Sequence, residues 1–311
     1  MPRAIFPAAI GVLLSVGVPT LRAQSTPKPP RFSGYLQLRE TYEQHEGLTA
    51  SVNRARLYVD GGLATHFFYR LSADFRNGGT STTRAGVSLV DALVRWSPST
   101  QWSVTAGQFK TPFSREYLLQ PPVIETADRA AVAESLPPKR DIGVMGSYAT
   151  DRAALSAGVF NGEGVNTVVN RDSTVLAVAR LTVVPLKSLE LGVNSAWYGS
   201  DSTRYGADAG LVTPRTTARV EFIGQHRATG GNDDYGWYAL AAYRVRPRIQ
   251  VVARQEDFRR PAPGLPAINA TTAGVNLESP DRYVRLTIEY ISREVAAVRR
   301  GSVLAQLQLR F

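Results

Sequence analysis

The chain has 311 residues and a formal net charge of +10, and it contains no cysteine, which excludes disulfides and thiolate metal sites. Its basic residues are four lysines and 36 − 4 = 32 arginines, and the guanidinium fork suits phosphate and carboxylate oxygens. An arginine-biased genome would give the same ratio, so the net positive sign is the firmer indication of anionic partners.

The first residues predict an export signal. Arg3 gives a positive start, Ala4 to Val18 is apolar, and Ala23 is a small residue suited to cleavage. Removal of residues 1–23 leaves 311 − 23 = 288 residues, of which 24–31 form a short proline-rich leader. The alternative, an N-terminal membrane anchor, fits less well because the apolar stretch is short and broken by two prolines.

After residue 23 no segment reads as a membrane-spanning helix. The longest apolar run, Val175 to Val184, is interrupted by Arg180, whereas a spanning helix needs about 20 apolar residues. Only helices and closed barrels satisfy all their backbone groups within lipid. If the chain spans a membrane, it must therefore do so as a barrel.

From residue 32 onward, period-two segments alternate with turn residues. In His66–Arg76, for example, Phe67, Leu71 and Phe75 share one face, and Arg70 lies on the other. An even strand number suits a barrel with both termini on one side. The predicted strands are Phe32–Tyr42, Val52–Asp60, His66–Arg76, Val90–Trp96, Gln101–Lys110, Arg140–Ala149, Ala153–Asn161, Ser173–Val184, Leu189–Gly199, Arg204–Val212, Thr216–Gln225, Tyr235–Val245, Ile249–Phe258, Asn269–Leu277, Arg282–Ser292 and Ser302–Phe311.

The connections between these segments alternate between short and long, as in transmembrane barrels with tight periplasmic turns and longer outer loops. The predicted fold class is therefore all-β, a transmembrane antiparallel up-and-down β-barrel of about 16 strands over residues 32–311. Its polar faces carry arginines expected to line a water-filled lumen. These lumen arginines are Arg39, Arg54, Arg56, Arg70, Arg76, Arg95, Arg180, Arg219, Arg254 and Arg285.

Such arginines would raise the local anion concentration in a low-dielectric channel. Acidic residues share their faces, among them Asp74, Asp91, Glu221, Glu256 and Glu289. The alternative is therefore that about half of the arginines pair across strands and stiffen the wall.

Thr111 to Lys139 is far too long for a hairpin turn and contains two Pro-Pro pairs. We expect it to be a third outer loop, folded into the pore as a constriction, although an outward excursion would also fit. Thr126 to Glu134 reads as a short helix with Thr126 as its N-cap. The free N–H groups at the start of that helix could meet an oxyanion.

Val303, Ala305, Leu307, Leu309 and Phe311 alternate with polar residues up to a terminal aromatic. This ending resembles the closing strand of bacterial outer-membrane barrels, where the last residue is an assembly signal. The resemblance implies a bacterial outer-membrane protein surrounded by lipid and lipopolysaccharide and recognised through Phe311 by the barrel-assembly machinery.

Four short motifs occur along the chain: Arg54-Ala-Arg-Leu57 with Gly61, Gly107-Gln-Phe-Lys-Thr-Pro-Phe-Ser114, Lys139-Arg-Asp-Ile-Gly143 and Gly158-Val-Phe-Asn-Gly162. In this order they resemble the phosphate-selective porin O and P family. The resemblance implies a sixteen-stranded homotrimeric channel that passes anions, often phosphate. It makes Lys110 a candidate constriction lysine and Asp91 its acidic partner in the eyelet, and the expected constriction also includes Arg129, Lys139 and Arg140.

Other functions fit the sequence less well. None of the three histidines lies beside a serine with acidic support, so we do not expect an enzyme. No cofactor or metal-ligand spacing is evident, and nucleic-acid binding would leave the export signal unexplained. Two alternatives to an anion porin remain: a structural or adhesive barrel with an occluded lumen, and a general non-specific diffusion porin.

Overall fold

The computed structural model describes residues 29–76, 86–170, 173–199, 201–228, 233–261 and 266–311. The predicted signal peptide, 1–23, and most of the leader, 24–31, lie outside these residues. The strands are β1 (Arg31–Glu43), β2 (Gly47–Ala64), β3 (Phe67–Arg76), β4 (Gly86–Trp96), β5 (Trp102–Lys110), β6 (Arg140–Ala149), β7 (Ala153–Phe160), β8 (Leu176–Leu186), β9 (Leu189–Tyr198), β10 (Ser202–Val212), β11 (Thr216–Arg227), β12 (Asp234–Arg246), β13 (Ile249–Arg259), β14 (Ile268–Glu278), β15 (Val284–Val295) and β16 (Val298–Arg310).

These sixteen strands form one closed antiparallel barrel, which confirms the predicted fold class. Each strand pairs with its neighbours in sequence, and β1 closes the ring on β16 from Tyr35 opposite Arg310 to Glu43 opposite Ser302. The backbones of Gly34 and Phe311 extend this seam by two mutual hydrogen bonds of 2.9 and 3.1 Å. Closure leaves no free sheet edge along the seam.

The two faces of the strands differ as the period-two pattern predicts. On β3, Phe67, Leu71 and Phe75 are 42–49% exposed, whereas Ser72 and Asp74 on the other face are at most 3% exposed. An apolar outside and a polar inside are what a barrel in a bilayer requires. None of the helices in the described residues is long and apolar enough to cross a membrane.

Three strands begin four or more residues earlier than predicted, β2, β4 and β16, and in the first two a β-bulge explains the difference. β2 starts at Gly47 instead of Val52, and its register against β1 shifts at Asn53. β4 starts at Gly86 instead of Val90, and its register against β3 shifts at Val90. An extra residue in one strand inverts the alternation beyond it, so the period-two pattern ends at the bulge although the strand continues.

The predicted helix over Thr126–Glu134 is wrong. The long segment contains two one-turn helices, α1 (Arg115–Leu118) and α2 (Ala131–Ser135), and a 3₁₀ turn at Pro121–Val123. The N-cap of α2 is Ala130 and not Thr126. The Thr126 hydroxyl donates instead to the Asp128 carbonyl at 2.8 Å, which favours a local turn over a helix start.

Candidate solute pathway

The segment from Thr111 to Lys139, called the inner loop below, leaves the wall at the end of β5. Within β5, three residues before its end, Gly107 has a φ of +118°, and a Cβ there would lie 2.1 Å from the Ala92 carbonyl oxygen, so only glycine fits this position of the strand. At its neck the Thr111 backbone N–H donates to the Lys139 carbonyl at 3.2 Å, and the Thr111 hydroxyl donates to the Pro138 carbonyl at 2.5 Å. The two ends of the loop are therefore tied together.

Lys110, the candidate constriction lysine, lies at this neck. Its ammonium group donates to the carbonyl oxygens of Tyr117, Leu118 and Leu119 at 2.5, 3.1 and 2.9 Å. These three bonds use all three ammonium hydrogens. Lys110 therefore caps the C-terminal end of α1, and its position explains the motif lysine as an anchor of the inner loop.

A carboxylate of the wall binds the start of α1. Glu221 on β11 accepts hydrogen bonds from the backbone N–H groups of Arg115 and Glu116 at 2.9 and 3.2 Å. The Arg115 side chain pairs with Asp208 at 2.7 Å and with Glu190 at 2.8 Å. The N–H groups at the helix start are therefore satisfied by the wall, and the loop is fixed across the lumen.

Two more wall carboxylates bind the loop further along. Glu256 accepts from the Ala131 N–H at 2.6 Å, and Glu289 accepts from the Ala127 N–H at 2.9 Å. The N–H groups around α2, which were expected to meet a solute oxyanion, thus bind protein carboxylates. Cross-strand pairing was the alternative considered for these acidic residues, but Glu256 and Glu289 act as acceptors for the loop backbone.

Four of the predicted lumen arginines also hold the inner loop. Each lies on the inner face of the barrel and donates to a loop oxygen. The contacts are Arg39 with the Asp128 carboxylate at 2.8 Å, Arg219 with the Glu125 carboxylate at 2.6 Å, Arg254 with the Thr126 hydroxyl at 2.9 Å, and Arg285 with the Ile124 carbonyl at 2.8 Å.

An apolar cluster joins the loop to the same half of the wall. Phe113, Ala130 and Ala133 of the loop are fully buried, and they belong to one cluster with Ile223 and Tyr238 of β11 and β12. Strands β5, β7, β8, β9 and β13 contribute to the same cluster, and β4, β6 and β14 pack against it. Interiors of this kind are close-packed and exclude water. The cluster leaves the opposite side of the loop, toward β2 and β3, free of such packing.

On that opposite side, a cavity of about 320 Å³ lies between the loop and strands β2, β3, β4 and β6. We name it the basic cavity because five cationic side chains line it and only two carboxylates do. The charged lining residues are Arg54, Arg56, Arg129, Lys139, Arg140, Asp74 and Glu134. The sequence predicts an excess of positive charge for the lumen as a whole, but it does not predict this cavity.

The cations of the basic cavity differ in whether a carboxylate pairs with them. Arg56 binds Asp74 through two contacts of 2.5 and 2.6 Å, and Arg140 binds Asp91 at 2.8 Å. Within the described residues no hydrogen bond or ion pair involves Arg54. Arg54 therefore faces the cavity without an ion-pair partner among the described residues.

Two further predicted arginines lie on β3 and β4, strands that also line the basic cavity. Arg70 forms a two-contact pair with Asp60 at 2.7 and 2.8 Å. Arg95 is exposed, donates to the Thr105 hydroxyl at 3.2 Å and lies over the Phe68 ring at 5.8 Å, but no described carboxylate pairs with it. The side chain of the predicted Arg76 lies outside the described residues.

One loop carboxyl lies in an unusual environment. Glu116 is fully buried, with one oxygen accepting from the Ala130 N–H at 2.9 Å and the other 3.9 Å from Arg254. Burial raises the pKa of the Glu116 carboxyl to about 7, and the positive charge of Arg254 only partly opposes the rise. No sequence pattern marks this residue, because its burial depends on how the loop docks.

A closed barrel of sixteen strands with an apolar exterior and a polar interior defines the chain as an outer-membrane porin in architecture. The model of the family described as phosphate-selective porin O and P matches residues 33–229, which is more than half of the chain. The chain belongs to that family, and it is a channel protein of the bacterial outer membrane. Among curated proteins none matches the sequence.

Solved structures show the same fold at low identity. A loop L8 deletion mutant of OmpT, an outer membrane protein of Vibrio cholerae, has a TM-score of 0.70 at 10% identity over 91% of this chain and 99% of its own. The trimer form of OmpT has a TM-score of 0.67 at 10% identity with the same coverage. A triple mutant of the Rh. blastica porin has a TM-score of 0.62 at 15% identity over 91% of this chain and all of its own.

Proposed function

We propose that this channel conducts small anions by passive diffusion and that phosphate is the leading specific solute. The observation that carries the proposal is Arg54, a cation without a described counter-ion in a cavity lined by five basic and two acidic side chains. A fixed, uncompensated charge in a low-dielectric passage attracts anions and repels cations. The name of the family supports phosphate over other anions.

The inner loop, residues 111–139, constricts the pore in this account. We take the basic cavity, which lies on the side of the loop away from its cluster with β11 to β13, as the route past the loop. Arg54, Lys139 and Arg140 line this route, whereas Arg56 is held by Asp74. Lys110 acts indirectly, since its ammonium group fixes the loop that forms the other side of the cavity.

The remaining features of the proposal concern processing and assembly. Residues 1–23 act as the export signal, residues 24–31 as a periplasmic leader, and Phe311 is recognised by the barrel-assembly machinery. The mature protein forms a homotrimer in lipid and lipopolysaccharide, as the trimer form of the similar OmpT suggests. It has no catalytic activity, because passive diffusion needs none.

Single-channel recording of the purified protein in a planar bilayer tests this proposal. In potassium chloride we expect anion-selective current, and stepwise addition of phosphate should block that current in a saturable way. Arg54→Ala should weaken both properties, whereas Arg299→Ala, which removes an outward-facing arginine paired with Glu294 at 2.9 Å, should not. Anion current without block would indicate a general anion porin, and absence of any channel would favour an occluded structural barrel.

A further inference from the structure

The carboxylate that the inner loop contributes to the basic cavity belongs to Glu134. One of its oxygens accepts from Arg129 at 3.0 Å, and the other lies 3.9 Å from the Lys139 ammonium. The side chains of Glu134 and Lys139 are 50% and 54% exposed. The second carboxylate of the cavity, Asp74, is buried and bound by Arg56.

The two cationic neighbours of Glu134 differ in freedom. Arg129 is only 7% exposed, donates to the carbonyl oxygens of Glu116 and Leu119 at 3.1 and 2.9 Å, and lies over the Tyr117 ring. Lys139 has no hydrogen bond from its side chain to any described residue, and its one ion pair is the 3.9 Å contact with Glu134. Arg129 is therefore fixed, and Lys139 is free to move toward a solute.

We propose that Glu134 determines how strongly the pore binds anions, because it competes with the solute for Lys139. This inference rests on the proposed conduction of anions through the basic cavity. In the empty cavity Glu134 partly neutralises Lys139. An entering anion takes over this ammonium group, and when the anion moves on, Glu134 replaces it.

The basic cavity therefore binds anions more weakly, and releases them faster, than it would if Lys139 had no carboxylate beside it. A channel needs binding that is strong enough for entry and weak enough for exit. A built-in carboxylate that returns to the lysine after each passage provides this balance. Glu134 is thus a specificity-determining residue that lowers the affinity of the pore for anions and thereby raises their flux.

Phosphate block of the single-channel current tests the proposal with Glu134→Gln, which keeps the shape and removes the charge. We expect the phosphate concentration for half-block to fall roughly fivefold, as for one unit charge at a half-exposed site, and each blocking event to last longer. Glu294→Gln is the matched control, since it also breaks a carboxylate–arginine pair but lies on the outward face opposite Arg299.

A second substitution shows whether Glu134 acts through Lys139. In the Glu134→Gln background, Lys139→Gln should return the half-block concentration to near the value of the unaltered protein. Equal half-block concentrations in Glu134→Gln and Glu294→Gln would overturn the inference, provided that the unaltered channel is anion-selective and blocked by phosphate. If the unaltered channel lacks that selectivity, the proposed function itself fails, so the two failures are distinguishable.

Discussion

The two sides of the inner loop use the same kinds of residue for different purposes. Toward β7 to β15, arginines and carboxylates of the wall are buried and bound to the loop, as in the pair of Arg219 and Glu125, whose side chains are at most 10% exposed. Toward β2 to β6, Arg54 and Lys139 face a water-accessible cavity. Burial and pairing, not residue type, therefore separate the arginines that hold the loop from Arg54, which lines the cavity.

The largest expected effect concerns the packed side. Phe113 is fully buried in the cluster between loop and wall, and Phe113→Ala should lower the free energy of unfolding by about 3–5 kcal/mol. The loop should also lose its anchorage, so single-channel conductance should rise. Denaturant unfolding and bilayer recording measure the two effects. Leu71→Ala on the outward face is the control. An equal loss of unfolding free energy in this variant would mean that the inner cluster contributes no more to stability than the outward face does.

The next prediction contrasts two arginines directly. Arg219→Ala strands the buried Glu125 carboxylate and should destabilise the protein by about 3 kcal/mol. Arg54→Ala should leave stability almost unchanged but reduce anion selectivity. Unfolding curves and reversal potentials of both variants give the comparison. The distinction between the two sides fails if the two variants show the same pattern.

The smallest effect concerns pH. Because the pKa of the Glu116 carboxyl is about 7 in the folded protein and its ordinary value is 4.5, the folded state holds a proton that the unfolded state releases between these values. The contribution of Glu116 to stability is therefore fully present below about pH 4.5 and declines as the pH rises to about 7, by about 3 kcal/mol at most.

Glu116→Gln should remove this dependence. The difference in unfolding free energy between the unaltered protein and the variant should change in favour of the variant as the pH rises from 4.5 to 7, and it should be constant above 8. A difference that stays flat over the whole range would show that folding does not raise the pKa of the Glu116 carboxyl.

The strand pattern could be predicted from the sequence because burial in this barrel alternates residue by residue. The alternation indicates fifteen of the sixteen strands directly, and the even number that the barrel requires adds the glycine-rich strand at Arg204–Val212. The early starts of β2 and β4 were missed because the bulges at Asn53 and Val90 invert the alternation. The inner loop has no such period. Its helices are single turns stabilised by wall carboxylates such as Glu256, which are distant in sequence.

The site was predictable in composition but not in the roles of its members. Arg54, Arg219 and Arg285 look alike in sequence, since each is an arginine on the polar face of a strand. The docking of the loop makes their environments different. It buries Arg219 and Arg285 against loop oxygens and leaves Arg54 facing the cavity. The carbonyl partners of Lys110 could not be predicted for the same reason, because they lie at the end of a one-turn helix that has no sequence period.

The reversal potential of the unaltered channel across a potassium chloride gradient tests the central claim most directly. The excess of cationic over acidic side chains in the basic cavity predicts a potential of the sign given by chloride, and Arg54→Ala should move it toward zero. A potential of the sign given by potassium would contradict the account, because it would show that the basic cavity does not control the passage of ions.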